Sequence, residues 1–331
     1  MGLSVDADME LEELGVVCAF AIKDGEARHV GARDDEPADF RWHHINLSVE
    51  PGRRWLTRNS GLPAQLATNF ANRALDVGAY NFGSGLLLVL EDRLEKLGDK
   101  SVDSRDLSEM HIWVDPGRVI TGRWQALAAT NRLRFRFEKG KAPDGPMALA
   151  LDLIGEVVTD VETINNRCED DLDALEDEIL GDGTQGVAAD LGTLRREFSI
   201  LRRRLLPLRK TLDAIAAAGV TWLRPEDRER ISALANRIDR ELAEIGAAQE
   251  QARLLQEESN ARLAERSGRN IYVLSVLTAV LLPLNLITGI FGMNVAGLPG
   301  LHDHSAFFWV MVSMVAIGVA MLALFKVSRW F

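Results

Sequence analysis

The sequence predicts an α+β cytosolic domain, followed by a long stalk helix and two C-terminal transmembrane helices. Two apolar runs near the end, Ile271–Phe291 and Ala306–Phe325, carry no charge. Each is long enough to cross a hydrocarbon layer, which takes about 20 helical residues. Strand-like runs occur before residue 144, and helical periodicity prevails after it. We therefore expect a cytosolic α/β domain at 1–144, a cytosolic helical region and stalk at 145–270, and a two-helix membrane domain at 271–331.

Composition narrows the class of protein. The chain has 331 residues and a formal net charge of −11. An acidic chain of this kind is not expected to bind nucleic acid, because phosphate recognition needs a basic face. The two cysteines, Cys18 and Cys168, lie far apart in the sequence and fit reduced cytosolic thiols. The acidic N-terminus lacks the apolar core of a secretory signal, so the bulk of the chain is expected in the cytosol.

The first region mixes strands and helices. Two segments, Pro63–Leu75 and Trp124–Thr130, show helical periodicity. The turn sequence Asp115-Pro116-Gly117 predicts a hairpin over Met110–Thr121. Five runs have the β-branched and aromatic content of strands: Val16–Ile22, Phe40–Leu47, Gly85–Glu91, Met110–Val114 and Arg118–Thr121.

Motifs of enzymes and metal sites are not found in this region. The sequence contains no GxGxxG after a strand, no GxxxxGK[ST] and no GxSxG. Side chains alternate along a strand, so His43 and His44 are expected to point to opposite faces and cannot chelate one ion together. The glycine-rich segment Asn81–Gly85 is expected to be a loop that enters a strand. We conclude that the protein is not an enzyme and needs no cofactor.

Three long helices are predicted after the Pro and Gly residues at 143–146. The first covers Met147–Leu180. The second covers Ala188–Ala218, and Pro207 is expected to kink or interrupt it. The third begins at Pro225 and meets no strong breaker before Pro283. If it continues through Phe291, it is about 100 Å long at ~1.5 Å per residue, which makes it both the stalk and the first membrane span.

Charged residues at the ends of the apolar runs predict the topology. Arg262, Arg266 and Arg269 precede the first run, and Lys326 and Arg329 follow the second. The link between the runs contains neither Lys nor Arg. Positive residues stay on the cytoplasmic side. We expect a multi-pass protein of the cell inner (plasma) membrane with both termini in the cytoplasm.

Polar residues within the first run share one face. Ser275, Thr278, Leu282 and Asn285 follow one another at steps of three, four and three residues. An Asn in a membrane helix is costly unless it meets water or a partner helix. Hydrogen bonding between helices is one explanation of the stripe. The other is a pore, and that requires several chains with this face turned inward.

The end of the first run carries a motif of a known family. Gly292-Met293-Asn294, preceded by Leu282-Pro283-Leu284, resembles the CorA family of divalent-cation channels and transporters. The next six residues, Val295 to Gly300, are similar to its zinc-transporter branch, ZntB. Arg203–Arg209 also resembles a ZntB helix motif. The acidic Met-Pro-Glu-Leu that the magnesium branch typically places after the first motif is not found here.

The resemblance implies a funnel-shaped homopentamer that moves a divalent cation, Zn²⁺ first, by a proton-coupled mechanism. Carried over by motif, Gly292, Met293 and Asn294 would form the selectivity entrance. The pore-lining residues would be Asn285, Leu282, Thr278, Ser275, Leu274 and Ile271, with the last two near an inner apolar constriction. A Mg²⁺, Co²⁺ or Ni²⁺ channel is the nearest alternative, and a membrane-anchored coiled-coil scaffold is an alternative of another class.

The outer loop contains a further candidate. His302, Asp303 and His304 lie between the two apolar runs. Imidazole and carboxylate groups suit Zn²⁺ capture. An ordinary solvated loop explains the same three residues equally well.

Overall fold

The computed structural model describes residues 9–31, 37–73, 75–95, 106–181, 186–293 and 305–327. The chain divides into two compact units, Met1–Leu255 and Gln256–Phe331. The first unit contains a sheet and several helices, and the second is helical.

A seven-stranded sheet is the centre of the first unit. Its spatial order is β2-β1-β3-β7-β6-β5-β4. The central pair β3 and β7 runs parallel, and every other neighbouring pair is antiparallel. The strands are β1 (Val16–Lys23), β2 (Glu26–His29), β3 (Phe40–Asn46), β4 (Gly78–Asn81), β5 (Leu86–Arg93), β6 (Leu107–Asp115) and β7 (Arg118–Arg123).

Seven helices complete the described elements. Three short ones accompany the sheet, and four longer ones follow it. They are α1 (Glu50–Arg58), α2 (Ala64–Ala71), α3 (Ala128–Glu138), α4 (Pro146–Leu180), α5 (Val187–Ala217), α6 (Pro225–Phe291) and α7 (Ala306–Val327). The long α6 contains Pro283, and it is helical on both sides of it.

The two faces of the sheet have separate apolar cores. One core joins Trp42 and the strand residues of its face to the buried sides of α4, α5 and the first part of α6. The other core is smaller and contains Trp55, Leu66 and Phe70 from α1 and α2. Trp113 belongs to this smaller core. Both faces of the sheet are therefore covered by helices.

The strands, the hairpin and the long helices confirm the sequence predictions within a few residues. The predicted helix at Trp124–Thr130 was wrong, because α3 begins only at Ala128 and continues to Glu138. Its start is held by Asp92, whose Oδ2 accepts a hydrogen bond of 2.8 Å from the Ala129 amide. Burial raises the pKa of this carboxyl to about 6.

Pro207 does not interrupt α5, contrary to one of the expected outcomes. A proline removes one helical hydrogen bond. The neighbouring Leu205, Leu208 and Leu212 are buried in the larger core, and this burial holds the helix together. The sequence prediction also missed β2, β4 and α1. The predicted loop at Asn81–Gly85 is the turn between β4 and β5, closed by a 3.0 Å hydrogen bond from the Phe82 amide to the Gly85 carbonyl.

Candidate functional site

The polar stripe lies on the last third of α6. Ser275, Thr278, Leu282 and Asn285 are all exposed. At about 100° per residue, these four positions fall within a sector of about 80°. Ile271 and Leu274 lie in or beside the same sector. The helix therefore presents one continuous face on which polar and apolar groups alternate.

The polar groups of this face differ in their hydrogen bonding. The Thr278 hydroxyl donates to the Leu274 carbonyl at 2.8 Å. The Asn285 carbonyl accepts from the Thr288 hydroxyl at 3.0 Å. Within the described part of the chain, the side chains of Ser275 and Asn285 have no hydrogen-bond partner. An amide without a partner at membrane depth needs water, an ion or another chain.

Both C-terminal helices leave their apolar side chains uncovered. Leu282 is 69% exposed and Phe307 is 78% exposed. The two helices are long and apolar enough to cross a membrane, and none of their most apolar window is buried. An uncovered apolar surface of this size is the mark of a contact with lipid or with protein partners.

Gly292 and Met293 end α6. The Gly292 amide donates to the Thr288 carbonyl at 2.8 Å, and the Met293 amide donates to the Ile290 carbonyl at 3.3 Å. A Cβ on residue 292 would come within 2.9 Å of the Thr288 carbonyl oxygen, so glycine fits here without a shift of the backbone. Asn294 lies outside the described residues, as do His302, Asp303 and His304, and the predictions on these four stay predictions.

The two histidines of β3 take part in the packing of the sheet. His43 packs against Trp55 with ring centroids 5.0 Å apart, whereas His44 is buried beside Trp42 on the opposite face, as predicted. Nδ1 of His44 lies 2.7 Å from the Thr121 hydroxyl, and its Nε2 accepts a hydrogen bond from Arg123. Burial lowers the pKa of His43 to about 4 and that of His44 well below its usual range. Both rings are neutral at physiological pH.

A preformed metal cluster is not found in the described ranges, where no group of three or more His, Cys, Asp or Glu side chains can hold a metal ion. Cys18 and Cys168 are both buried free thiols, as the sequence predicted. The described residues that line the candidate pore offer a hydroxyl, an amide and backbone carbonyls, all without formal charge. Such groups suit a cation that keeps part of its hydration shell.

The sequence prediction missed Glu241, a buried carboxyl group of the first unit, Met1–Leu255, which we call the soluble unit. Glu241 is buried on α6, where it interrupts the apolar series of Ile238, Leu242 and Ile245. Glu241 follows Ile238 by three residues and precedes Ile245 by four, so the sequence already placed it on the buried face of the helix. This spacing would have separated Glu241 from the many carboxylates in solvent.

Comparison with protein families matches residues 37–329 to a model described as CorA-like Mg²⁺ transporter protein. Among curated relatives, the divalent cation transporter CmaX of Pseudomonas aeruginosa is 28% identical and is aligned over 96% of this chain and 98% of its own length. The zinc transport protein ZntB of Pectobacterium atrosepticum is 26% identical, with 98% of each chain covered.

Solved structures agree with this result at the level of the fold. The structure of full-length CmaX has a TM-score of 0.80 at 27% identity and covers 96% of this chain and 99% of its own. The CorA magnesium transporter of Methanocaldococcus jannaschii has a TM-score of 0.79 at 17% identity, with 95% and 98% covered. The arrangement of α/β unit, long helix and two C-terminal apolar helices is therefore common to all three.

Proposed function

The chain belongs to the CorA-like Mg²⁺ transporter family, and we propose that within it the protein is a homopentameric Zn²⁺ transporter of the inner membrane. The family transports divalent cations, so the protein is a transporter and not an enzyme. The choice of Zn²⁺, the pentamer and the path of the ion are our proposals. The observation that carries the pentamer and the path of the ion is the polar stripe on the exposed face of α6, where the Ser275 and Asn285 side chains have no hydrogen-bond partner among the described residues.

A pore lined by this stripe requires several copies of the chain. One helix with a sector of about 80° cannot enclose an aqueous path. In a ring of five, Asn285, Thr278 and Ser275 of each copy face the axis, and the apolar Leu282, Leu274 and Ile271 narrow it. The apolar faces left outside the ring meet lipid and α7. Residues 1–144, 145–270 and 271–331 then act as cytosolic domain, stalk and pore domain.

We assign the outer entrance to Gly292, Met293 and Asn294. A ring of amide and carbonyl oxygens holds a hydrated divalent ion by its dipoles, and it releases the ion more readily than a ring of carboxylates would. Gly292 supports the assignment because the helix end has no room for a Cβ without a shift. His302, Asp303 and His304 would collect Zn²⁺ at the mouth if they stand near it.

The topology follows from the positive residues. Arg262, Arg266 and Arg269 come before the first span, and Lys326 and Arg329 follow the second. Both ends of the pore domain then face the cytoplasm, and the link between the spans faces outward.

A second candidate differs only in the ion. A CorA-like channel for Mg²⁺, Co²⁺ or Ni²⁺ is favoured by the name of the matched family model. The segment from Val295 to Gly300, similar to the zinc branch, favours Zn²⁺. Competition among the four ions in one vesicle preparation separates the two candidates.

The decisive experiment measures Zn²⁺ uptake by proteoliposomes that contain a zinc-sensitive dye. We expect uptake by the wild-type protein, a sharp loss in Asn294→Ala, and near wild-type uptake in Asn270→Ala. Asn270 is a matched control, since it precedes the first span and lies off the stripe. Equal uptake by the two variants would refute the entrance, and no uptake of any divalent ion by the wild-type protein would favour a scaffold.

Proton coupling is tested in the same vesicles. With a pH gradient imposed across the membrane, a proton-coupled carrier takes up Zn²⁺ faster than it does without the gradient. Uptake that is indifferent to the gradient would assign a channel mechanism instead.

A further inference from the structure

A small polar cavity lies between α4 and α6 in the soluble unit. Its volume is about 240 Å³. The residues that line it are Glu162, Asn166, Arg237, Arg240, Glu241 and Glu244. The two helices are tied together on both sides of it, by the ion pair of Arg237 with Glu162 and by a 2.7 Å hydrogen bond from Gln251 to Glu176.

Glu241 is the buried member of this group. Its exposed fraction is 5%, and its Oε1 has no hydrogen-bond partner within the described ranges. Asn165 on α4 is fully buried beside it, and its Nδ2 donates to Glu169 at 3.0 Å. The Oδ1 of Asn165 also lacks a partner among the described residues. A buried carboxylate in this setting carries a large desolvation cost.

The charges that face Glu241 do not neutralise it. Glu162 and Glu169 face it from α4, and Glu244 faces it from its own helix. Arg240 is adjacent to Glu241 in sequence and also lines the cavity. Arg237 lies one helical turn before Glu241, but its guanidinium is bound by both oxygens of Glu162 and donates to the Thr159 hydroxyl at 2.7 Å. Burial first, and then the three neighbouring carboxylates, raise the pKa of Glu241 to about 7.

A bound metal ion is a poor fit for the cavity. Glu162 is already occupied by Arg237, and Arg240 adds a second positive charge to the lining. No three carboxylate, imidazole or thiol groups in the described residues come together as ligands. A proton can bind the unpartnered Oε1 of Glu241 without a movement of the other side chains that line the cavity.

We propose that Glu241 is a proton-binding site of the soluble unit, and that loss of its proton loosens the packing of α6 against α4. The neutral acid can donate a hydrogen bond within the cavity. The ionised carboxylate adds a negative charge beside Glu162, Glu169 and Glu244. Its repulsion with these groups then weakens the packing of α6 against α4. The inference concerns the soluble unit alone and does not depend on which ion is transported.

The dependence of stability on pH follows from linkage. The unfolded chain releases this proton near pH 4.5, and the folded chain keeps it until about pH 7. Glu241 therefore destabilises the fold increasingly as pH rises through this window, and its effect is complete above pH 7. In Glu241→Gln, which cannot ionise, the folding equilibrium should exceed that of the wild-type protein on the order of 100-fold at pH 8 and be similar to it at pH 4.5.

The test uses the full-length protein in lipid and infrared difference spectroscopy between pH 5 and pH 8. We expect the carbonyl stretch of a protonated carboxylic acid to disappear with a midpoint near pH 7. Glu241→Gln should lack this band and keep only the band of Asp92, which titrates near pH 6. Glu244→Gln, which removes an exposed carboxylate of the same cavity, should retain the Glu241 band with a lower midpoint. At pH 8 the thermal unfolding midpoint should be higher in Glu241→Gln than in the wild-type protein, and at pH 4.5 the two should be similar.

Two results would overturn the inference. A band that titrates near neutral pH in Glu241→Gln as it does in the wild-type protein would assign the proton to another group. Loss of the wild-type band on addition of Zn²⁺ at constant pH would make the cavity a metal site instead.

Discussion

The soluble unit and the C-terminal unit of this chain obey opposite rules of burial. Trp42 in the sheet has an exposed fraction of 0%, whereas Trp309 in α7 has one of 63%. The larger core of the first unit collects buried apolar side chains from five of its strands and four of its helices. The second unit turns its apolar side chains outward. The first unit covers its apolar side chains within one chain, whereas the second leaves them exposed to lipid or to protein partners.

The two units also differ in whether their polar side chains find hydrogen-bond partners. In the sheet, Thr121 accepts a 2.8 Å hydrogen bond from the Trp42 indole, and its hydroxyl lies 2.7 Å from His44. In the last third of α6, the Asn285 amide has no partner in the described part of the chain. A satisfied buried group stabilises a fold, whereas an unsatisfied one on an exposed face is available for an ion or a neighbour.

The largest expected effect is the difference between two variants, Trp42→Ala in the sheet and Trp309→Ala in α7. Trp42 packs edge-to-face against Phe137 with ring centroids 4.8 Å apart, and it is fully buried. Trp42→Ala should lower the free energy of unfolding by about 3–5 kcal/mol, because it opens a cavity in the core. Trp309→Ala should leave the unfolding of the soluble unit unchanged. Circular dichroism of the full-length protein in denaturant measures both, and similar losses in the two variants would remove the contrast between the units.

Acid should act outside the two apolar runs, because Ile271–Phe291 and Ala306–Phe325 contain no Asp, Glu or His. Burial lowers the pKa of His43 to about 4. The unfolded chain therefore binds this proton first, and stability is lost as pH falls from about 6.5 toward 4. His43 is partly exposed, so we expect a loss of about 2 kcal/mol.

The matched variant is His43→Phe, which keeps a ring against Trp55. Its unfolding free energy should fall less steeply than that of the wild-type protein over the same acid range. Equal slopes in the two proteins would show that other groups carry the acid response.

A pair of threonines on α6 gives the smallest expected effect. Thr278 lies on the polar stripe, whereas Thr288 lies off it, and both hydroxyls donate to a carbonyl of their own helix. Thr278→Val should reduce ion flux about fivefold, the equivalent of ~1 kcal/mol for one lost polar contact. Thr288→Val should leave flux close to wild type. The reverse order would mean that a different face of the helix meets the ion.

The elements in which apolar residues recur at a regular spacing were predictable from the sequence. The apolar periodicity of α4, α5 and α6 and the two uncharged runs predicted the helices within a few residues. The segment that forms α1, Glu50–Arg58, was missed because it contains both Pro and Gly. It is helical because Trp55 and Leu56 are buried, and because Gly52 packs so closely that a Cβ would lie 2.0 Å from the Asn46 carbonyl oxygen.

Other features depend on partners that are distant in sequence. The strand β2 (Glu26–His29) has no β-branched residue, and its pairing with β1 makes it a strand. The polar stripe was visible as a spacing of three and four residues. The spacing of Glu241 from Ile238 and Ile245 was visible as well, but the groups that face it across the cavity, Asn165 and Glu169, could not be identified from the sequence. Sequence periodicity identifies a face of a helix, but it does not identify what stands opposite that face.

The parallel pair β3 and β7 sets an order for synthesis. Arg41 pairs with Arg118, so the middle of the sheet cannot close until about 75 further residues have left the ribosome. Long-range pairing of this kind is slow. Ile271 is made about 150 residues after Arg123, which at ~5–20 residues per second gives the sheet roughly 7–30 s before the first apolar run appears. The sheet can therefore close before the first apolar run is made, whereas the part of the core that α6 supplies is made only shortly before that run.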